Sequence, residues 1–288
     1  CIIHFFVIYF KQTTTKERVM YIAFDENNAR IHIETADKSK QYFCPVCGEK
    51  LIIKAVDSLS IKPHFAHKKG TECLDTWQHD MSEWHYNWQC LFPEEFREVV
   101  VEEDGIKHRA DVLINGYVIE FQHSPITAVE IEERNTFYLN CGYKVIWVFD
   151  AQNKVKNIYG TEYSIDPFMH DLEWKRARRE FDIPTPSGVF VFIEYETKLS
   201  TNPPQEAGIL LHLKKFNPKK IESFNTYPYY INRGNLLKTL GIKLEGFLSI
   251  EDIFEEHEAF ERRRRTESNQ RREYYIVPQK NRRKFRRS

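Results

Sequence analysis

The amino-acid sequence predicts an α/β (α+β) protein that has more short strands than helices and a small Cys/His module near its beginning. Three observations predict this fold: short runs that alternate between apolar and polar residues, an Asn-Gly dipeptide between two such runs, and three cysteines with two histidines within thirty residues. The 288 residues are 41% hydrophobic and 29% charged, which suits a globular chain of about two domains. This composition excludes a collagen-like or wholly disordered chain.

The first predicted part is a β-rich module over residues 20–78. Alternating runs at 30–35 and 50–54 predict strands on either side of a Cys-Pro-Val-Cys-Gly motif. Residues 1–19 precede the first strand-like run and contain no methionine, so we interpret them as a possible upstream extension. Their apolar start is about half the length that spans a bilayer, and the cysteine cluster favours a reducing compartment. We therefore expect a cytoplasmic protein that does not interact with a membrane.

The cysteines and histidines of this module predict a structural zinc site. Cys44 and Cys47 lie in a short turn that can direct two thiolates at one ion, and Cys73 follows later in the chain. His64 and His67 are three positions apart and would face opposite sides of an extended segment. The favoured ligands are Cys44, Cys47, His67 and Cys73, with His64 as the alternate. The competing interpretation is a redox CxxC motif, which would have to open a helix in a βαβ unit.

The second predicted part, residues 79–155, has the element order αβββαβ. Apolar residues at helical spacing predict helices at 80–91 and 126–141, and alternation predicts strands at 96–102, 109–114, 117–122 and 143–149. The last strand follows a helix, so it is expected to rejoin the same sheet in a parallel orientation.

Two acidic residues of this part are predicted to face each other across a hairpin. The Asn-Gly dipeptide between the second and third strands favours a type I′ turn. If Ile114 pairs with Tyr117, Asp111 lies directly opposite Glu120. Opposed Cβ atoms are about 4.5 to 5.5 Å apart, and like charges at that separation are destabilising unless they are neutralised. Mg²⁺ binds one or two carboxylates together with phosphate oxygens, so the pair predicts a magnesium site. The alternative is an exposed strand face on which two acids happen to align.

Polar residues near the pair strengthen the functional interpretation. The same register places Arg109 opposite Gln122 on the polar face, while the alternate positions of both strands are apolar and are expected to pack into the core. Glu83 is available on the preceding helix. Glu133 and Arg134 on the second helix are interpreted as a solvated ion pair.

Several motifs together resemble the CoiA-like competence proteins of the PD-(D/E)XK nuclease superfamily, in which a Cys/His zinc-ribbon-like module precedes a nuclease-like domain. The motifs are CPVCG with PHFAH and the cysteine that follows, SEWH, HRAD, IEFQHSPI and YKVIWV. The resemblance covers roughly residues 20–150, and the combination is more specific than any single motif.

The resemblance implies a metal-dependent nuclease site. Asp111 and Glu120 would bind Mg²⁺ or Mn²⁺, and Glu83 would complete the metal shell or orient water. Arg109 would neutralise charge on the phosphate. Gln122 lies where many nucleases of the superfamily have lysine, and an amide offers only a dipole in place of that positive charge. Secondary candidates for a direct role are His85, His108 and His123.

The resemblance also implies the partners. Single-stranded or double-stranded DNA would be the substrate, and a strand-exchange recombinase would be a protein partner during competence. A function of another class is a catalytically weak or inactive DNA-binding adaptor for a recombinase. That adaptor would bind DNA with strong salt dependence and would not cleave it.

The rest of the chain carries no recognisable chemistry. Residues 156–260 are predicted to form a mixed α/β accessory region, with a helix at 171–181, strands at 189–195 and 209–216, and a helix capped at Ser249. Residues 261–288 contain twelve Lys or Arg and three Glu, a local balance of +9 in a chain of zero net charge. This basic tail is either a solvated terminus or an arm that contacts DNA.

Overall fold

The structure is a computed structural model. It describes residues 19–58, 61–71, 73, 75, 77, 81–152, 154–157, 172–176, 186–199, 205–212, 220–221, 230–244, 249, 252, 255, 258–259 and 262–267. The possible upstream extension, except its last residue, and most of the basic tail lie outside this set. The chain divides into two compact units, one of residues 1–82 and 98–110 and one of residues 83–97 and 111–288. The α/β prediction is confirmed.

The first unit contains a five-stranded sheet with the order β2-β1-β3-β4-β5. Its antiparallel strands are β1 (Ile22–Phe24), β2 (Arg30–His32), β3 (Tyr42–Phe43), β4 (Lys50–Lys54) and β5 (His64–His67). The strand predicted at 30–35 ends early, because a 3₁₀ turn over Ile33–Thr35 begins where the His32 ring accepts a hydrogen bond from the Glu34 N–H. The β-rich character predicted for this module is present.

A buried ion pair closes the first unit. Glu98 accepts hydrogen bonds from the backbone N–H groups of Tyr21 and Ile22 and pairs with Arg109 at 3.3 Å. The Glu98 carboxylate is therefore stabilised by backbone N–H donors and by a guanidinium, and a buried carboxylate requires such partners.

The second unit begins with α1 (Glu83–Gln89), which is shorter than the predicted helix at 80–91. Strand β6 (Arg97–Glu103) and strand β7 (Ile106–Ile114) come next in the chain, and their residues 98–110 belong to the first unit. They are joined by a turn at Asp104 and Gly105, where both φ angles are positive. The later elements are β8 (Tyr117–Gln122), α2 (Ala128–Asn140), β9 (Lys144–Asp150), β10 (Val155–Asn157), β11 (Leu172–Trp174), β12 (Val189–Leu199), β13 (Gln205–His212), β14 (Lys220–Ile221), β15 (Tyr230–Asn232) and α3 (Arg233–Thr239).

The larger sheet has the strand order β15-β13-β12-β9-β8-β7-β6. Strand β9 pairs in parallel with β8, as the αβββαβ pattern predicts, and β12 pairs in parallel with the other side of β9. Strands β12, β13 and β15 come from the predicted accessory region. They extend the sheet that carries the candidate site, and a small separate sheet has the order β10-β11-β14.

One predicted helix is wrong where the structure describes it. Residues 172–174 of the helix expected at 171–181 form β11, which pairs antiparallel with β10 and β14. The charged composition suits a helix, but Trp174 is buried in this small sheet, and pairing of the strands overrides propensity. Residues 177–181 lie outside the described residues. Ser249 and Asp252 exchange the reciprocal hydrogen bonds of a capping box, as expected of a helix start.

The core of the second unit lies on one face of the larger sheet. It combines apolar residues of strands β7, β8, β9, β12 and β13 with side chains of α1, of the turn after α1, and of α3 and its C-cap. These residues are Trp88, Leu91, Phe92, Val112, Ile114, Ile119, Phe121, Ile146, Val148, Phe192, Leu210, Leu236, Leu237 and Leu240. The apolar face predicted for the hairpin is thus buried. Among the described residues, no helix has the length and apolar character needed to cross a lipid bilayer.

Candidate metal module and nuclease-like site

Four predicted ligands converge in the first unit. The ligand atoms of Cys44, Cys47, His67 and Cys73 all lie within 4.8 Å of one another. The sulfurs of Cys44 and Cys73 are 3.9 Å apart, and the sulfur of Cys47 is 3.3 Å from Nε2 of His67. Ligands at zinc distances in a tetrahedron are separated by about 3.5 to 4 Å. The cluster could therefore hold a metal ion, and its chemistry is consistent with zinc.

The local sequence explains how these ligands meet. Strand β3 ends just before Cys44, and a tight turn with Gly48 at φ +73° returns the chain to β4. The Cys44 N–H donates to the carbonyl of Glu49, and the Gly48 N–H donates to the carbonyl of Cys44. His67 is the last residue of β5 and pairs with Leu51 of β4. The turn between β3 and β4 thus positions Cys44 and Cys47, and the pairing of β5 with β4 positions His67.

His64, the alternate ligand, lies away from the cluster. It pairs with Lys54 on the sheet, is buried, and its Nδ1 is 2.9 Å from the carbonyl oxygen of Lys62. Residues three apart on a strand face opposite sides, so only His67 reaches the cysteines. The favoured ligand set is the one that the structure assembles.

The thiols of the cluster perturb each other. The hydrogen bond with Cys73, together with burial, raises the pKa of the Cys44 thiol, whereas the same contact lowers the pKa of Cys73 to about 3. One proton therefore serves both sulfurs, and binding of a divalent cation would release it.

The hairpin of the second unit has the predicted register. Ile114 pairs with Tyr117 and Val112 with Ile119, and the turn residues Asn115 and Gly116 have φ of 49° and 79°. These positive angles are those of a type I′ turn. The ladder ends with Val112 and Ile119, one position before Asp111 and Glu120, so the facing of these two acids stays a prediction.

Asp111 is buried at the point where the β7–β8 ladder ends. Its Oδ2 accepts a hydrogen bond from the Phe121 N–H at 2.8 Å, and its Oδ1 is 3.1 Å from Nε2 of His85 on α1. Its own carbonyl accepts from the Gln89 side chain. The carboxylate thus takes a backbone N–H that a regular antiparallel pair would give to a carbonyl.

Glu120 is held by α2. Its Oε2 is 2.6 Å from Nη1 of Arg134, and its Oε1 accepts a hydrogen bond from the Tyr138 hydroxyl at 2.9 Å. Burial raises the pKa of Tyr138, and the charges of Glu120 and Asp111 raise it further. The charges of both carboxylates therefore favour the protonated form of the Tyr138 hydroxyl.

Arg134 is buried, so the expectation of a solvated ion pair is wrong for this residue. Its side chain is 2% exposed, and it contacts Glu120 and also Glu130 one turn earlier on α2. Burial, the largest single effect, would lower the pKa of Arg134, but the charges of Glu120, Tyr138 and Glu130 together outweigh burial and raise the pKa. The buried face of α2 is Ile131, Arg134, Asn135 and Tyr138, a helical spacing that carries mostly polar residues. Polar residues at this helical spacing are the feature of the sequence that could have predicted a polar site beneath α2.

The other principal candidates have different surroundings. Glu83 is exposed at the first position of α1. Gln122 is half-buried, and its amide nitrogen donates to the Ser124 carbonyl at 2.7 Å. Arg109 belongs to the first unit, where Glu98 and the carbonyl of Val19 bind its guanidinium.

Of the secondary candidates, His108 has a structural environment. It lies in the first unit, with Nδ1 3.0 Å from Asp75, and its ring stacks on Trp77 at a centroid distance of 3.4 Å. The Asp75 carboxylate also accepts the N–H of Trp77. These contacts lock the imidazole ring in place.

His123 differs, because it is accessible. Its side chain is 44% exposed, and its Nδ1 lies 2.5 Å from Oδ2 of Asp150, which is buried at the end of β9. An imidazole held through one nitrogen presents the other nitrogen in a fixed orientation. Asp150 was not among the predicted residues, and the adjacency of β8 and β9 is what brings it to His123.

A second buried carboxylate also escaped the sequence analysis. Glu194 on β12 accepts hydrogen bonds from the indole N–H groups of Trp84 and Trp88 and from Arg233 at 2.6 Å. It pairs with Asp150 across the parallel strands β12 and β9. Asp150 and Glu194 thus lie on neighbouring strands, close to the C-terminal end of β8.

The fold and the two clusters define a mixed α/β protein with a small module whose Cys/His cluster could hold a metal ion and a unit that buries two acids on a hairpin. Residues 25–75 match the family model described as the N-terminal domain of competence protein CoiA, and residues 92–185 match the model described as its nuclease-like domain. The chain belongs to the CoiA-like competence protein family. No curated protein and no solved structure matches the chain.

Proposed function

We propose that this protein is a metal-dependent nuclease that hydrolyses phosphodiester bonds of DNA during competence. The observation that carries the proposal is the burial of Asp111 and Glu120 on the two strands of the β7–β8 hairpin, inside the region that matches a nuclease-like domain. Buried ionisable groups with specific charged neighbours are enriched at functional sites.

Burial of two acids on one hairpin needs a functional or structural reason. Desolvation of each carboxylate costs several kcal/mol before its partners are counted. His85 and Arg134 offset that cost for one acid each. An apolar pair at the same positions would stabilise the hairpin without any such compensation.

The acids and their neighbours can be assigned roles. Asp111 and Glu120 would hold Mg²⁺ or Mn²⁺, and exposed Glu83 would complete the shell or orient water. A bound divalent ion would polarise the scissile phosphate and acidify a water molecule. Gln122 would orient that water or the phosphate through its amide. Arg109, held by Glu98, would contribute to the shape of the first unit and not to the chemistry.

Two histidines are suited to distinct tasks. His85 would position the Asp111 carboxylate, because it lies 3.1 Å from it and is buried. His123 would move a proton, because Asp150 fixes one ring nitrogen while the side chain remains 44% exposed.

Zinc is the proposed ion of the Cys/His cluster, with a structural role. Three cysteines and one histidine fill a tetrahedral shell and leave no position for water or substrate. DNA is the proposed substrate, and Arg262, Arg263, Arg264 and Arg265, all exposed, would add affinity for its backbone. A strand-exchange recombinase is the proposed protein partner.

One observation favours a second function, a DNA-binding adaptor for a recombinase that cleaves DNA weakly or not at all. Both oxygens of Glu120 already have a partner, one in Arg134 and one in Tyr138. The charge of this acid is therefore compensated by the protein itself. A cation would have to compete with these contacts or share them.

A cleavage assay separates the two functions. Purified full-length protein is incubated with single-stranded and double-stranded DNA in Mn²⁺, beside the variants Asp111→Asn and Glu120→Gln. The nuclease predicts Mn²⁺-dependent products that decrease at least about a hundredfold in each variant. Glu133→Gln, on the same helix as Arg134 and exposed, is the matched control and should cleave like the wild type. Binding of DNA without cleavage by any form would favour the adaptor.

A further inference from the structure

A row of aromatic and basic residues crosses the sheet of the first unit. Arg30 on β2 pairs with Phe24 on β1, Phe24 pairs with Phe43 on β3, and Phe43 pairs with Lys50 on β4. The β4–β5 ladder ends with Leu51 opposite His67, and one further step of the same register would bring Lys68, the residue after β5, opposite Lys50. Directly paired residues project from the same face of a sheet, so the first four side chains share one face, and the register directs the fifth, Lys68, to that face as well. We call them the cross-sheet row.

The row is accessible at its basic end. Lys50 and Lys68 are exposed, and both phenylalanines are half-buried. Neither lysine forms an ion pair within the part of the chain that the structure describes. Two ammonium groups on opposed positions repel each other, so the arrangement is destabilising until an anion lies between them.

The acids nearest the row are occupied or separated from it. Asp25, next to Phe24, accepts hydrogen bonds from the N–H groups of Asn27 and Ala29 with one oxygen. Glu49 precedes Lys50 and therefore starts from the opposite side of the strand. Charge on this part of the face is thus predominantly positive.

The chemistry of the row suits one kind of polymer. Aromatic faces next to cations on a sheet bind single-stranded nucleic acid, because bases stack on the rings and phosphates meet the cations. A duplex hides its base faces and could use only the cations. We propose that the cross-sheet row is a binding surface for single-stranded DNA, with Phe24 and Phe43 beneath bases and Lys50 and Lys68 at the phosphates.

The Cys/His cluster fixes the geometry of this surface. Phe43 directly precedes Cys44, and Lys68 directly follows His67, so two row residues adjoin metal ligands in the chain. Lys50 follows the turn that the cluster closes. The module thus joins metal binding to DNA binding, and its exposed lysines hold their separation because the ligands are fixed.

This inference adds to the proposed nuclease function the kind of DNA that the enzyme would bind, which is a single strand. It rests on that function only in taking DNA as the nucleic acid. Its test is a binding measurement without any divalent ion other than zinc. Fluorescence anisotropy with a labelled oligo-dT strand and with a labelled duplex compares wild-type protein with Lys50→Glu/Lys68→Glu. The matched control is Lys38→Glu/Lys40→Glu, which reverses two exposed lysines of the same module that lie before β3.

We expect the row variant to bind oligo-dT at least about tenfold more weakly, with the slope of log affinity against log salt shallower by about 1.4. The control variant should stay within about threefold of the wild type. Phe24→Leu and Phe43→Leu, which keep apolar volume without a ring, should each weaken oligo-dT binding by about tenfold and leave duplex binding unchanged. Zinc content and circular dichroism confirm that every variant is folded.

Equal losses in the row and control variants would overturn the inference, as would equal losses for oligo-dT and duplex in the phenylalanine variants. Failure of the nuclease proposal is a separate result, because cleavage is measured with Mn²⁺ at saturating DNA. A protein that binds oligo-dT through the row and cuts nothing would refute the nuclease and retain the surface.

Discussion

At the scale of single residues, the arginine beneath the hairpin decides how Glu120 can be buried. Arg134 and Glu120 are both almost fully inaccessible and lie 2.6 Å apart. A lone carboxylate in such a place is unfavourable by several kcal/mol, so the pair acts as one unit.

Replacement of Arg134 by methionine should destabilise the protein by about 3 to 5 kcal/mol, because it leaves Glu120 buried without its cation. Denaturant unfolding measures this loss. The double variant Arg134→Met/Glu120→Met should be more stable than the single variant, since no charge remains unpaired. Arg262→Met, in an exposed pair with Glu258, is the control and should change stability by at most about 0.5 kcal/mol. A single variant as stable as the double would contradict this description of the site.

The sequence predicted some of these residues and missed others for a physical reason. Asp111 and Glu120 were predicted from local register, which one Asn-Gly turn determines, and the structure has that register at the three pairs next to the turn. Arg134 and Tyr138 are brought to Glu120 by packing of a helix on the sheet, and Asp150 is brought to His123 by a parallel neighbour. Contacts of that kind depend on the tertiary fold, and no periodic pattern in the sequence predicts them.

At the scale of elements, turns with positive φ define where the hairpin and the later strands begin. Gly116 has φ +79° in the β7–β8 turn, and Gly188 has φ +88° just before β12. A side chain at either position is strained, but the space around them differs. A Cβ at Gly116 would have no neighbour within 4 Å, whereas at Gly188 it would lie 3.1 Å from a methyl carbon of Leu139.

Gly116→Ala should therefore reduce the free energy of unfolding by about 1 kcal/mol, the cost of a left-handed alanine. Gly188→Ala should lose more, because the Leu139 side chain must also shift. Thermal unfolding of both variants in one buffer measures the order. A larger loss for Gly116→Ala would show that steric contact at Gly188 is unimportant.

Element prediction worked where alternation and turn chemistry agreed. The β7–β8 hairpin, α2 and β9 are found within three residues of the predicted bounds. The helix at 171–181 failed at β11, where charged residues belong to a small sheet whose partners lie far along the chain. Long-range pairing of this kind competes successfully with local propensity.

At the scale of the whole molecule, the two units depend on different interactions. The first has short strands and a Cys/His cluster that connects its turns, while the second has an extended sheet with a large apolar core. Small β modules with few buried residues commonly require a metal ion for folding.

Removal of zinc by a chelator should therefore unfold the first unit and leave the second folded. Hydrogen exchange should show loss of protection in β3, β4 and β5 while β8 and β9 stay protected. Cys44→Ser should have the same effect and should lose bound zinc. Cys90→Ser, at an exposed cysteine outside the cluster, is the matched control and should keep its zinc. Unchanged zinc content in Cys44→Ser would refute the ligand assignment.

The central claim is that the paired acids of the hairpin gather a divalent cation. Isothermal titration calorimetry measures this binding most directly. The zinc-loaded protein is titrated with Mn²⁺ in the presence of a non-hydrolysable DNA strand. We predict one Mn²⁺ site in the wild type that is lost in both Asp111→Asn and Glu120→Gln and kept in Glu133→Gln. Equal Mn²⁺ binding by all four proteins, or none by the wild type, would contradict the claim.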